Sequence, residues 1–350
     1  MKPSDDGELA AEARRITLAL GTPSPRTYWT DLAITTLVVY AGLALAVMGP
    51  GAWRIVAGVV AALALYRAIS FIHELTHLRP DELPGFNVAW NLLIGIPFLV
   101  PSFLYEGVHN IHHVQQRYGT AEDPEYLPLA RGSAWGLAGF VAVGPLAPVG
   151  ALLRFGVLAP ASWLVPGLRS AVLERYSAMS INPGFRRKDI GGPAWTAWRT
   201  QELACWLWSW GLAAAVVAGG AGARAILTAL GVMALATTVN QVRTLVAHAW
   251  EGDGAPMPLA AQFADSVNVP PPGLAALRWA PVGLRYHALH HLAPRVPYHN
   301  LARAHRRLAA AFPAGAVYHR AARLGLVQAI AALIDRRRTF ARSQGVDAPR

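Results

Sequence analysis

Cysteine is almost absent. Cys205 stands alone in 350 residues, which excludes an intrachain disulfide, an iron-sulfur cluster and a thiolate zinc site. Any metal must therefore rest on histidine or carboxylate. Charge is also scarce, at 15% of residues against about 25% in an ordinary soluble domain. With 54% hydrophobic residues this excludes a water-soluble globule, and the 32 glycines and 26 prolines punctuate apolar segments as turns do in a multi-span membrane protein. Lysine is nearly missing too, so the net charge of +11 is carried by arginine apart from Lys2 and Lys188. The arginines stand at the chain ends and between apolar runs, without the interleaved aromatics of a nucleic-acid-binding motif. They read as topology signals, with no nucleic-acid partner. The start of the chain, with Asp5, Asp6 and Glu8 ahead of Arg14 and Arg15, lacks the basic start and apolar core of a cleaved signal peptide.

No charge interrupts residues 32–53, and only Arg67 interrupts 55–72. Split by Gly49-Pro50-Gly51, this region makes two helices, each able to approach the roughly 30 Å of bilayer hydrocarbon at about 1.5 Å per residue. A second pair covers 203–223 and 225–242, divided at Gly219, Gly220 and Gly222, with Trp195, Trp198, Trp206, Trp208 and Trp210 as an interfacial belt at its entrance. The positive-inside rule puts the segments 1–30, 73–200 and 243–350 in the cytoplasm and the tips at Arg54 and Arg224 outside, within one domain spanning 1–350. Arg67, near the inner end of its helix, is expected to snorkel. Two proline-punctuated apolar stretches, 83–105 and 132–167, can span, lie in the interface or re-enter. The chemistry flanking them needs one side of the membrane and favours non-spanning segments.

That chemistry is histidine. Eight of the twelve histidines fall into three groups: His73 and His77 in HELTH; His109, His112 and His113 in HNIHH; His287, His290 and His291 in HALHH. Positions i, i+3 and i+4 share a helix face, so each group can aim its imidazoles at one point. A single histidine is best read as a core or interfacial residue. Eight clustered imidazoles are costly to bury without a metal, and neutral imidazole is a good iron ligand, so a dinuclear centre is expected.

The pattern H-x3-H, H-x2-HH and a distant H-x2-HH, with paired apolar helices between, resembles the membrane fatty acid desaturase superfamily over most of the chain. Residues 119–125, Gly-Thr-Ala-Glu-Asp-Pro-Glu, resemble the run that follows the second box there; 265–268, Asp-Ser-Val-Asn, and 285–299 around the third box resemble bacterial desaturases. The resemblance implies an all-α integral membrane protein of four transmembrane helices in two hairpins, with a cytosolic helical cap holding a histidine-rich dimetal site. It implies two non-haem iron ions, O2 as co-substrate and removal of two hydrogens from a fatty acyl lipid to leave an alkene. A bacterial inner membrane is the expected location, with the active site facing the cytoplasm.

His248 lies about one and a half turns beyond the helix that ends before Arg243. Alone it reads as an interfacial histidine bonded to a carbonyl. It also resembles the extra histidine that completes nine imidazole ligands in the family, where eight would give about four per iron and a ninth raise one iron to five. Asp123, Glu125, Asp265 and Asn268 are expected to cap turns or brace ligand histidines, and Glu106, three residues before His109, to accept an imidazole N–H. His299, His305 and His319 read as surface histidines.

HELTH is also a literal H-E-x-x-H, in which two histidines hold zinc and Glu74 serves as general base. An intramembrane zinc protease would leave six boxed histidines idle. Carotenoid ketolases and hydroxylases and alkane hydroxylases carry similar boxes, and spacing does not choose among them. A transporter would need an intramembrane charged site, which is not evident. No fused cytochrome motif occurs, so electrons are expected from a separate ferredoxin, rubredoxin or cytochrome and its reductase.

Overall fold

The structure, a computed structural model, describes residues 3–188, 191–192, 194–270, 276–323 and 325–344; Lys2 lies outside them. All named elements among the described residues are helices. After α1 (Pro3–Thr17), α2 (Pro25–Met48) starts where Pro25 needs no N–H partner and the Ser24 hydroxyl accepts from Thr27 N. α2 stops at Gly49-Pro50-Gly51, and α3 (Trp53–Leu75) returns beside it. A Cβ on Gly42 would lie 3.0 Å from the Ala61 methyl, so glycine lets these two helices close. Among the described residues four helices are long and apolar enough to cross a membrane: α2, α3, α6 (Ala134–Leu164) and α9 (Gly220–Thr244). Between α3 and α6 lie the short apolar α4 (Phe86–Gly95) and α5 (Val108–His112). Between α6 and α9 lie α7 (Pro166–Tyr176) and α8 (Trp195–Ala218).

The proline-punctuated stretch 132–167, expected not to span, is one helical run, α6, long and apolar enough to cross, whereas α8, read as a span from its sequence, is 24 residues long but is not among the four. Pro145 and Pro148 sit inside the α-helical part of α6, and Pro160 opens its last segment, directly after a π-helical stretch from Leu153 to Leu158. The α8 tryptophans are not simply an interfacial belt. Trp208 and Trp210 donate to the carbonyls of Pro97 and Gly156 at 3.0 and 3.1 Å, and Trp198 is buried under the Arg187 guanidinium at 3.8 Å. Arg67, expected to snorkel, has a partner within the protein. It pairs with Asp31, which also accepts from the Tyr298 hydroxyl at 2.8 Å and the Thr35 hydroxyl at 3.1 Å. Asp31 sits one residue before the uncharged stretch 32–53.

The cap is built from α1 and the C-terminal α10 (Leu259–Asp265), α11 (Ala276–Trp279), α12 (His287–Leu292) and α13 (Tyr298–Ala311). Leu9 and Ala13 of α1 share a core with Phe263, Leu289, Leu301 and Leu308. Asp6 caps α10 by accepting from Leu259 N and Ala260 N at 3.1 and 2.8 Å. Isolated bridges pair His248 with Ser266, and Asn268 with Tyr286 and Ala322, tying the third box to the segment after α9.

Candidate metal centre

Nine histidines converge from four places: the C-terminal end of α3, α5, the turn after α9, and α12. His73, His77, His109 and His290 place ligand nitrogens within 4.8 Å of one another, as do His112, His248, His287 and His291. His113 joins the first group, its Nε2 lying 2.9 Å from His109 Nε2 and 3.1 Å from His290 Nε2. The H-x2-HH boxes therefore do not each aim at one point. His109 and His113 (i, i+4) serve one group while His112 serves the other; in the third box His287 and His291 serve the second group and His290 the first. The boxes by themselves divide five and three, and His248 brings the smaller group to four.

These residues fit two metals. Imidazole nitrogens about 2.1 Å from a metal and at right angles lie about 3 Å apart. The edges His287–His248, His290–His113 and His291–His287 measure 3.0, 3.1 and 3.2 Å. The hydrogen bonds behind the rings fix which nitrogen keeps its lone pair. His109 Nδ1 bonds Glu125 at 2.8 Å, His112 Nδ1 bonds both Asp123 oxygens at 2.8 and 2.9 Å, and His248 Nδ1 bonds the Tyr118 hydroxyl at 2.7 Å. Each leaves Nε2 unprotonated and facing the centre. Buried Nε2 atoms of His73, His77 and His112 have no hydrogen-bond partner. Converging lone pairs without donors repel unless a cation lies between them. In the family two irons supply this charge.

Burial also keeps the imidazoles neutral, as metal ligands must be. It lowers His109, His113, His248, His287, His290 and His291 well below the usual histidine range, and His77 to about 3. Burial acts the same way on His112, but the carboxylates of Asp123, Glu125 and Asp265 outweigh it and hold that ring above the ordinary value. Burial raises Glu125 to about 7 and Asp265 to about 6.

Asp123 also accepts from Gly119 N and Glu125 N, so the 119–125 turn is tied to the ring it orients. Asp265 accepts from Tyr118, which carries its effect to His248. Asn268 braces the backbone of the third box through Leu289 N at 3.1 Å, not an imidazole. Glu106 corrects an expectation: it bonds Ser102, Asn87 and the Trp198 indole, and no histidine. The three-residue spacing fails because Gly107, at φ +75°, starts α5 after Glu106 and turns the two apart. His305 is buried against the Tyr318 hydroxyl and His299 accepts from Ser24 N, so neither is a plain surface histidine. Tyr118 and Tyr105, whose hydroxyl bonds Glu125 at 2.7 Å and also contacts His109, belong to the centre although no sequence spacing signals them. Glu74 is buried and bonded by the Tyr28 hydroxyl and Tyr298 N, so it is no free general base of a zinc protease.

A cavity of about 790 Å³ opens onto His73, His109, His248 and His287 and extends along α6 and α9 past Leu137, Phe140, Val143 and Ala147. Its volume suits a large lipid-like ligand.

The family model described as fatty acid desaturase matches residues 50–322. The chain belongs to that family and is an oxidoreductase of lipids, built with membrane helices. It is also 51% identical over 337 residues to a ceramide hydroxylase of Caulobacter vibrioides (strain NA1000 / CB15N), an alignment covering 96% of this chain and 95% of that protein.

Proposed function

We propose that the chain is a di-iron, O2-dependent enzyme that hydroxylates a ceramide-type lipid. The observation that carries this reading is the pair of histidine groups, five and four imidazoles, at the end of an apolar cavity. Histidines 73, 77, 109, 113 and 290 would hold one iron and 112, 248, 287 and 291 the other. When bound, such a pair supplies reduction of O2 and removal of hydrogen from an unactivated C–H bond. The protein's share is positioning: Asp123, Glu125 and Tyr118 fix the rings, and the α6–α9 cavity holds the chain and excludes water. Extensive identity to a ceramide hydroxylase favours hydroxylation. Desaturation, which the motif resemblance implied, is the second reading and differs only in the fate of the substrate after its first hydrogen is lost. Carotenoid and alkane chemistry have no support beyond the boxes. Electrons come from a separate donor protein and its reductase.

The proposed topology places the centre in the cytoplasm of a bacterium, at the inner membrane. Box 1 and box 3 share both histidine groups' surroundings, so an even number of crossings separates them. α8 and α9, joined at Gly219, supply two. α6, although long enough to cross, enters and returns on the same side, a course its contacts support: Phe140 and Gly144 meet Gln241 and Thr237, and Arg154 and Trp163 meet Glu202. Both ends of α6 thus lie against parts of α8 and α9 remote from Gly219.

The test is purified enzyme, iron, a reductant system and ceramide under isotopically labelled O2, read by mass spectrometry. A product gaining one labelled oxygen supports hydroxylation, and loss of two hydrogens supports desaturation. One zinc per chain with O2-independent proteolysis would overturn the reading.

A further inference from the structure

The cavity has two unlike walls. α6 lines one with Leu137, Phe140 and Val143; α9 lines the other with Thr237, Asn240, Gln241 and Thr244, three and four residues apart on one helix face. Hydrocarbon gains nothing from such a face, and unpaired polar groups held against it are costly. Part of the polarity is used internally: the Thr237 hydroxyl donates to Gly144 O at 2.7 Å, that of Thr244 to Asn240 O at 2.8 Å, and Gln241 Nε2 to Phe140 O at 3.0 Å. Part is not. Arg243 Nε is buried without a partner, while Arg243 Nη2 reaches Asn240 Oδ1 at only 3.4 Å. Asn240 Nδ2 and Gln241 Oε1 make no hydrogen bond to a described residue. Arg243 lines the cavity together with His248 and His287, which puts it at the edge of the centre.

We infer that Asn240, with Gln241 and Arg243, forms a polar collar that binds the amide and hydroxyl groups of the substrate, so that the oxidised carbon lies within a few bonds of that polar head and not in mid-chain. The inference rests on the ceramide reading above and deepens it. The collar offers donors from Asn240 and Arg243 and an acceptor from Gln241, the set that an amide carbonyl and a hydroxyl need together. A hydrocarbon, or a lipid whose polar end is remote from the reacting carbon, leaves these groups unpaired, the kind of mismatch that lets a polar site reject an apolar analogue.

Asn240→Leu keeps the side-chain size and removes the amide. Binding of a tritiated short-chain ceramide and of a chain-matched fatty acid methyl ester is measured on metal-free protein in nanodiscs, followed by iron content and steady-state kinetics of the loaded enzyme. Ceramide binding should weaken about tenfold or more, corresponding to one lost hydrogen bond, with ester binding and iron content unchanged and KM raised more than kcat is lowered. Fragmentation of the wild-type product should place the new oxygen near the amide. Equal ceramide binding by wild type and Asn240→Leu, an equal loss for both lipids, or a mid-chain product overturns the collar. Should Asn240→Leu fail to assemble, Asn240→Ser gives the same comparison, with an intermediate loss expected. Failure of wild-type protein to bind ceramide at all overturns the ceramide reading itself, an outcome distinct from failure of the collar.

Discussion

His112 and Asp123 are bound as a pair at both carboxylate oxygens, 2.8 and 2.9 Å from Nδ1, and both residues are buried. The carboxylate selects the tautomer that points the His112 Nε2 lone pair into the four-histidine group. Asp123→Ala should cut metal affinity there about 10- to 100-fold, the usual cost of losing such a partner, with iron per chain falling from two towards one. Full iron content in the variant would remove the pair from metal binding.

The five-and-four division makes His113 and His248 unequal. His113→Ala leaves four imidazoles in its group, whereas His248→Ala leaves three. Iron titration should show the second variant losing one metal at concentrations where the first still holds both. Equal losses would contradict the division.

Gly144 is where α6 meets α9. An added Cβ would stand 2.8 Å from Thr238 Cα, backbone that cannot swing aside, while at Gly139 it would meet nothing within 4 Å. Alanine normally favours a helix over glycine. Gly144→Ala should nevertheless lower stability by about 1–3 kcal/mol, as overpacking does, and disturb lipid binding, while Gly139→Ala is neutral or stabilising. Thermal unfolding of the two variants checks the contrast.

Acid should destabilise the metal-free protein. The folded state holds His77, His109, His113, His248, His287, His290 and His291 below the unfolded value of about 6.5, so the unfolded chain binds more protons and their contribution, present above that pH, is lost as pH falls. Raised His112, Glu125 and Asp265 act in the opposite sense but are fewer. Melting temperature should drop between pH 7.5 and 5.5, and a rise would contradict this account.

Reporters at Gly51 and Gly220 should lie outside the cytoplasm, and one at Gly167, just past α6, inside. An outside reporter at Gly167 would make α6 a crossing and overturn the proposed topology.

The histidine spacing made the centre readable because i, i+3 and i+4 neighbours project together from a helix. It did not reveal the division of each box, since α5 and α12 are single turns wedged between the two groups, and neighbouring rings fall to either side. Apolar length revealed α2, α3 and α9 for the same elementary reason, that hydrocarbon tolerates no charge. It says less about α6, where Pro145 and Pro148 look like breaks although the helix runs through them, and about α8, where Trp208 and Trp210 look interfacial although neighbouring carbonyls receive their N–H groups. Tyr118 meets His248 from 130 residues away, and sequence spacing carries no trace of such a contact.

The contact of Asp6 with α10 reaches further than a cap. α10 ends in Asp265, whose carboxylate holds the Tyr118 hydroxyl against His248, so the first helix of the chain is mechanically in series with one histidine of the centre. An affinity tag or fusion partner placed at the amino end pulls on that series. The end of Leu326–Ser343, which contributes no group to either histidine cluster, is the place to attach one.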